Sequence, residues 1–262
     1  MTSLVRTLGM LVVAFLLLPT VIIAPMSLSP SNLLRFPPPG LSWRWYQAFL
    51  TDPDWLSATL FSAQVAALTT LASVVIGTAA SVALVRGRLP GRATVEALLL
   101  APLIVPHIIV AIAVYLQFAP LGLTGTVPGF VLIHTALAVP YVVLVVSAAL
   151  QRLPPSLELA GLNLGASRAT CFRRIVLPLI LPSVLAGGVF AFLASFDETI
   201  VSFFISGTEH KTVTRKMFED IEYNLSPVIA AASTVFIAVT LALMMAANAA
   251  KSAGAARGNE VA

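Results

Sequence analysis

The sequence predicts an all-α, polytopic membrane protein with six transmembrane helices. Three observations carry that reading: 58% of the 262 residues are hydrophobic, only 10% are charged, and the apolar residues gather in runs long enough to cross a bilayer. Soluble domains hold about 45–50% apolar and about 25% charged residues, so charge this sparse belongs to a chain dissolved in lipid. The net charge is +4. The basic residues lie in short loops between apolar runs and form no patch for nucleic acid; their placement is a topology signal. Cys171 is the single cysteine, which excludes an intrachain disulfide and a metal cluster built from thiols.

A bilayer core of about 30 Å needs roughly 20 helical residues at about 1.5 Å each. The segments that meet this are Leu8–Leu28, Leu56–Val85, Val95–Phe118, Pro128–Leu150, Leu179–Ile205 and Pro227–Ala250, within one transmembrane domain covering residues 1–262. The first follows Arg6, exceeds the ~7–15-residue core of a cleaved signal and has no Ala-x-Ala pattern after it, so it is read as a retained span. No Asp, Glu, Lys or Arg occurs from Ala97 to Gln151. Pro120, Gly122, Gly125 and Pro128 divide that stretch into the third and fourth spans.

Basic residues then set the orientation. Arg6, Arg86, Arg88, Arg92, Arg152, Arg168, Arg173, Arg174, Lys251 and Arg257 fall on one side; Arg35, Arg44, Lys211, Arg215 and Lys216 fall on the other. The richer side is expected to be cytoplasmic, and both termini with it. Trp43, Trp45, Tyr46 and Trp55 are then an external aromatic belt. The acids Asp52, Asp54, Glu209, Glu219, Asp220 and Glu222 are external too. A short helix, Val213–Tyr223, is expected in the last external loop, where its acids suit either a basic patch on a binding protein or plain solvation.

The cytoplasmic segment Gln151–Pro178 differs in kind. Pro154 and Pro155 stop the fourth span, and Ser156 is placed to N-cap a helix over Leu157–Leu164. Gly165 suits the left-handed position after that helix. Ser167 is placed to cap a second helix running to about Val176, which Pro178 ends. Leu157, Ala160, Gly161 and Leu164 share one face of the first helix, and Arg168, Arg173 and Arg174 lie on the second. Such a knob either rests on the lipid surface or docks a cytoplasmic partner.

Gly165, nine further residues, then Ile175-Val176-Leu177-Pro178 resembles the loop signature of ABC importer permeases: E-A-A, three residues, G, nine residues, I-x-L-P. The string LGASRATCFRRIVLPLILP, Leu164 to Pro182, is similar to that family throughout. The resemblance implies the type I ABC importer permease fold, with this loop as the coupling helix that fits a cleft on a separate ATPase. Carried onto this chain, the coupling residues are Glu158, Ala160, Gly161, Gly165, Ala166, Ile175, Leu177 and Pro178. There is one departure: aligned on Gly165, the family's glutamate falls on Leu159, and Glu158 stands one residue early. FPPPGLSWRWYQAF (Phe36 to Phe49), SFDETIVSFFISG (Ser195 to Gly207) and the region from Met217 to Pro227 resemble the spermidine/putrescine-type subgroup. They point to a polyamine or a related organic cation. After Pro106 that subgroup often carries an acid, where this chain has His107. The resemblance also implies a pair of ABC ATPase subunits, a second homologous permease, an extracytoplasmic solute-binding protein and a bacterial inner-membrane location. ATP and magnesium belong to the ATPase partner. No G-x-x-x-x-G-K-[ST] phosphate loop occurs in this chain, so no cofactor is expected on it.

Asp197 and Glu198 are the most informative charges. Fifteen residues of helix from Pro182 rise about 22 Å, which puts both past the membrane midplane toward the outside. Acids there are costly unless they face a cavity or a partner. A cationic solute accounts for them; so does a hydrated helix end or a partner's arginine. His107 follows Pro106, where the helix must loosen, and Tyr115 offers a ring face to a cation; both are candidate pathway residues. His134 is expected to be hydrogen-bonded inside the bundle. Two histidines without a third donor make no metal site. No Ser/His/Asp set or H-E-x-x-H constellation occurs, so no enzyme activity is expected. The alternatives are a secondary transporter and a permease for another solute, such as an amino-acid derivative, ferric iron or an organic phosphate.

Overall fold

The structure is a computed structural model that describes residues 2–207, 210–223 and 225–259, with side chains described from residue 4 to 249. Glu209 and the side chains of Lys251 and Arg257, used above for orientation, lie outside the described residues. All regular structure among the described residues is helical: α1 (Thr2–Ser27), α2 (Arg44–Thr51), α3 (Pro53–Arg86), α4 (Arg92–Leu100), α5 (His107–Phe118) and α6 (Val127–Arg152). Then come α7 (Ser156–Asn163), α8 (Arg168–Cys171), α9 (Leu177–Phe196), α10 (Ile200–Ile205), α11 (Val213–Tyr223) and α12 (Val228–Asn259). The chain forms two compact units, residues 1–59 with 215–241 and residues 60–214 with 242–262.

In the first unit, α1 exposes Leu, Val, Met and Phe side chains along its length, which lipid tolerates and water does not. Its end is tied to α2 by Ser27 Oγ, 2.7 Å from Tyr46 OH. Phe49 of α2 meets Trp55 and Phe236 edge-on, with centroids 5.6 and 5.8 Å apart. Trp55 is only 1% exposed. It is therefore not part of the expected aromatic belt. A buried indole N–H needs an acceptor, and Asp220 Oδ2 on α11 supplies one at 3.1 Å. Lys216 Nζ neutralises the same carboxylate at 2.7 Å. The helix expected over Val213–Tyr223 is present with those bounds.

The second unit is built on α6, whose Phe130, Val142, Val146 and Leu150 are fully buried. Thr126 caps it, its Oγ accepting from the Gly129 N–H at 3.2 Å. Helices in lipid associate through close van der Waals packing of small residues. Here Gly77 of α3 and Gly187 of α9 both abut Val142: a Cβ on Gly77 would stand 2.7 Å from the Val142 Cβ, and one on Gly187 would stand 3.3 Å from its Cα.

Among the described residues five helical stretches are long and apolar enough to cross a membrane, and a sixth is reached if α4 and α5 count as one span. That pair corrects the continuous third span expected over Val95–Phe118: the helix breaks after a short 3-10 turn, Ala101–Leu103, and the two arms bend by 95°. Pro102 and Pro106 explain it, because proline donates no N–H and disfavours helical backbone in the residue before it. The fifth span, expected to run unbroken to Ile205, is also interrupted: α9 stops at Phe196 and α10 starts at Ile200. Asp197, Glu198 and Thr199 occupy the gap, and polar side chains of this kind compete for backbone groups.

Candidate functional site

Two constellations emerge, both within the second unit. The first is the loop between α6 and α9. Helix α7 begins at Ser156 itself, with Pro155 in the cap position and no side-chain cap; the N-cap expected of Ser156 is not made, because its side chain is already inside the first turn. Gly165 adopts φ +86°, as its expected left-handed role requires. The Gly165 N–H donates to the Leu162 carbonyl and the Ala166 N–H to the Gly161 carbonyl, each at 3.0 Å, so the last orphan carbonyls of α7 are satisfied in a Schellman closure. Ser167 caps α8 as expected, accepting from the Thr170 N–H at 3.2 Å. Pro178 does not end this helix. Phe172–Val176 form a π turn that leads directly into α9, and such a widened turn is how a helix accommodates the donor and space that proline removes.

The apolar face expected on α7 divides. Gly161 is buried, and a Cβ there would lie 2.9 Å from both Cys171 Sγ and Ile175 Cδ1, so this glycine closes the loop upon itself. Leu157, Ala160 and Leu164 remain exposed, Leu164 by 88%. Ala166 and Leu177 are half-buried and Pro178 is exposed. Glu158, the acid displaced by one position, turns inward: Arg86 Nε donates to its Oε1 at 2.7 Å, while Arg86 Nη2 donates to the Leu153 carbonyl at 2.7 Å. Arg86, which had served only as a topology marker in the sequence, braces the loop to α3.

The second constellation surrounds the gap in the fifth span. Glu198 is 8% exposed. Its Oε1 accepts the Val201 N–H at 2.9 Å, its Oε2 lies 3.0 Å from His107 Nδ1, and its carbonyl accepts the Thr214 hydroxyl at 3.1 Å. Asp197, its neighbour, is exposed, with no ion-pair partner among the described residues. The pair expected to act together is thus split into one occupied acid and one open one. His134 of α6 reaches across the gap, with Nδ1 2.8 Å from Ser195 Oγ and Nε2 3.2 Å from Ser202 Oγ. Its expected internal hydrogen bonding is therefore present. Tyr115 is exposed on α5. Among the described residues no group of three potential metal ligands occurs. The Ser195, Ser202 and Thr214 partners are not legible in the sequence; Ser195 stands two residues before Asp197 and Ser202 four after Glu198, a spacing with no local signature.

Residues 73–253 match the family described as binding-protein-dependent transport system inner membrane component. The chain is 29% identical to the spermidine/putrescine transport system permease protein PotC of Escherichia coli, covering 90% of this chain and 89% of that one. It is 32% identical to the putrescine transport system permease protein PotI of Escherichia coli, over 76% and 73% of the two chains. A molybdenum transport system permease protein, ModB of Mycobacterium bovis, is 29% identical over 78% and 83%. A solved bacterial ABC transporter involved in the import of the acidic polysaccharide alginate contains a chain of the same fold, with a TM-score of 0.72 at 14% identity, over 94% of this chain and 95% of that one. The apolar spans and the braced loop between them define a helical membrane permease. The chain belongs to the binding-protein-dependent transport system inner membrane components, and it is a multi-pass protein of the inner membrane.

Proposed function

We propose that this chain forms part of the solute pathway of an ATP-driven importer for polyamines or a related organic cation, and that the loop over 151–178 receives the motion of a separate ATPase. The observation that carries the coupling role is the loop's construction. A glycine-closed turn, an internal Gly161 contact and the Arg86–Glu158 bond make a stiff knob that leaves Leu157, Ala160 and Leu164 facing outward. A stiff body with an apolar outer face is what a lever docked in a cleft requires. In this reading a pair of ATPase subunits seats the loop on the cytoplasmic side, and both termini lie there. A second permease completes the pathway, and a solute-binding protein delivers from outside. One solved relative of the fold is an alginate transporter in complex with a solute-bound periplasmic protein, which supports that last partner. ATP hydrolysis takes place on the ATPase and not on this chain.

The polyamine assignment rests on the names of the relatives and on Asp197, an open carboxylate beside a break in a span. Charges at such depth are retained for function, and ring faces such as Tyr115 can assist a cation. The molybdenum relative favours a second reading, a permease for another solute. Binding of labelled spermidine, putrescine and molybdate to the partner receptor separates the two; binding of molybdate alone removes the polyamine reading. Copurification of an ATPase with this chain tests the coupling role, and ATP-independent uptake by the purified assembly removes it.

A further inference from the structure

We infer that His107 and Glu198 are a positioning pair for transport, which locks the breaks of two spans together, while Asp197 is the acid left to meet the solute. The inference rests on the reading of Asp197 as solute-facing and assigns different roles to its neighbours.

Non-helical backbone at membrane depth persists only where it is buried in protein or lines a cavity, because no lipid group can satisfy it. The third span breaks immediately before His107 and the fifth between Phe196 and Ile200. The two breaks are joined by the contact between His107 Nδ1 and Glu198 Oε2 at 3.0 Å. The other carboxylate oxygen takes the Val201 N–H, an orphan donor of the first turn of α10. The Glu198 carbonyl takes the Thr214 hydroxyl, at the start of α11. One buried residue therefore fixes where α5, α10 and α11 begin. Both its oxygens are engaged and 8% of it is exposed, so it offers a solute little. His134 holds the flanks of the same gap through Ser195 and Ser202. Asp197 alone stands open on this rigid step. Were Glu198 a solute ligand, the Val201 N–H and His107 contacts on its carboxylate would have to be undone at each cycle. A buried polar network is costly to break once its members are paired.

The test is a double-mutant cycle in the complete transporter, reconstituted with its partner permease, ATPase and binding protein. Initial rates of labelled spermidine uptake are read alongside ATP hydrolysis, a readout that needs no knowledge of the solute. His107→Ala and Glu198→Ala should each lower the maximal rate about tenfold with KM unchanged, and the double variant should be no worse than either single. Glu198→Gln should keep most of the rate, since its amide oxygen still accepts from Val201 and its NH2 reaches His107; His107→Gln should do the same. Asp197→Asn combined with His107→Ala should multiply the two losses. The inference is overturned if Glu198→Gln is as damaging as Glu198→Ala, or if the His107 and Glu198 effects multiply. Should Glu198→Ala fail to reach the membrane, the two Gln variants decide: near-normal rates support the pair, and a tenfold loss in either one sinks it. Failure of the Asp197 reading looks different, because Asp197→Asn would then take up spermidine normally while the cycle still showed coupling.

Discussion

Gly165 sits at φ +86°, where an L side chain costs about 1–2 kcal/mol. Gly165→Asp adds that strain and places a charge at the outer end of the knob. ATP hydrolysis by the complex should continue while uptake falls severalfold, and measuring both in the same proteoliposomes checks it. Asp197 carries a different expectation: Asp197→Asn keeps the shape of the side chain and removes its charge, so uptake should fall while the amount of protein in the membrane stays the same. Quantitative immunoblotting beside the uptake assay separates those outcomes. Glu158 shows what a motif hides. It stands one residue early in the motif, and its carboxylate is bound within the chain by Arg86. Arg86→Glu should reduce uptake, and adding Glu158→Arg should restore part of it; absence of any restoration would mean the bond is not what Arg86 contributes.

At the scale of elements, the crossing of α3 and α9 on α6 depends on the absence of side chains. Gly77→Val would drive a branched side chain into Val142, whose Cβ lies 2.7 Å from where the new Cβ must sit. Overpacking of this kind costs about 1–3 kcal/mol, and the variant should show lower thermal stability in detergent than Gly77→Ala, measured by loss of monodisperse protein on heating. The spans were legible because their apolar length is a property of consecutive residues: α6 and the loop helix α11 fall where composition puts them. The breaks were not. Pro106 announced a loosening of the third span but not a 95° bend, because proline sets what the backbone cannot do and packing decides what it does instead. The gap at Asp197–Thr199 was read as helix because three polar residues in an apolar run carry no helix-breaking residue among them. Trp55 was read as a surface aromatic for a related reason. Its partner Asp220 lies 165 positions away, and no local pattern connects them.

For the molecule as a whole, the two constellations proposed to act in transport both lie in the second unit, and α9 runs between them. It leaves the π turn of the loop at Leu177 and ends at the step that holds Asp197 and Glu198. The proposed orientation makes a direct prediction. With Ser167→Cys, a membrane-impermeant maleimide should label inverted vesicles and not intact cells, and the native Cys171, buried, should contribute little background. Labelling from outside would reverse the topology and remove the coupling role with it.

The widened turn over Phe172–Val176 has a consequence for phase. An α-helix advances about 100° per residue, so a turn holding one surplus residue sets the azimuth of everything before it against everything after. Deleting a single residue there, Arg174 for example, would let the ladder regularise and swing the knob by about that angle around the axis of α9. Leu164 would then point to a different quadrant with the Gly165 turn and the Ser167 cap intact, while the Ile175 contact with Gly161 and the Arg86–Glu158 bond would be lost. A lever that keeps its turn but loses both its heading and its brace should uncouple uptake from ATP hydrolysis more completely than a change to the surface it presents.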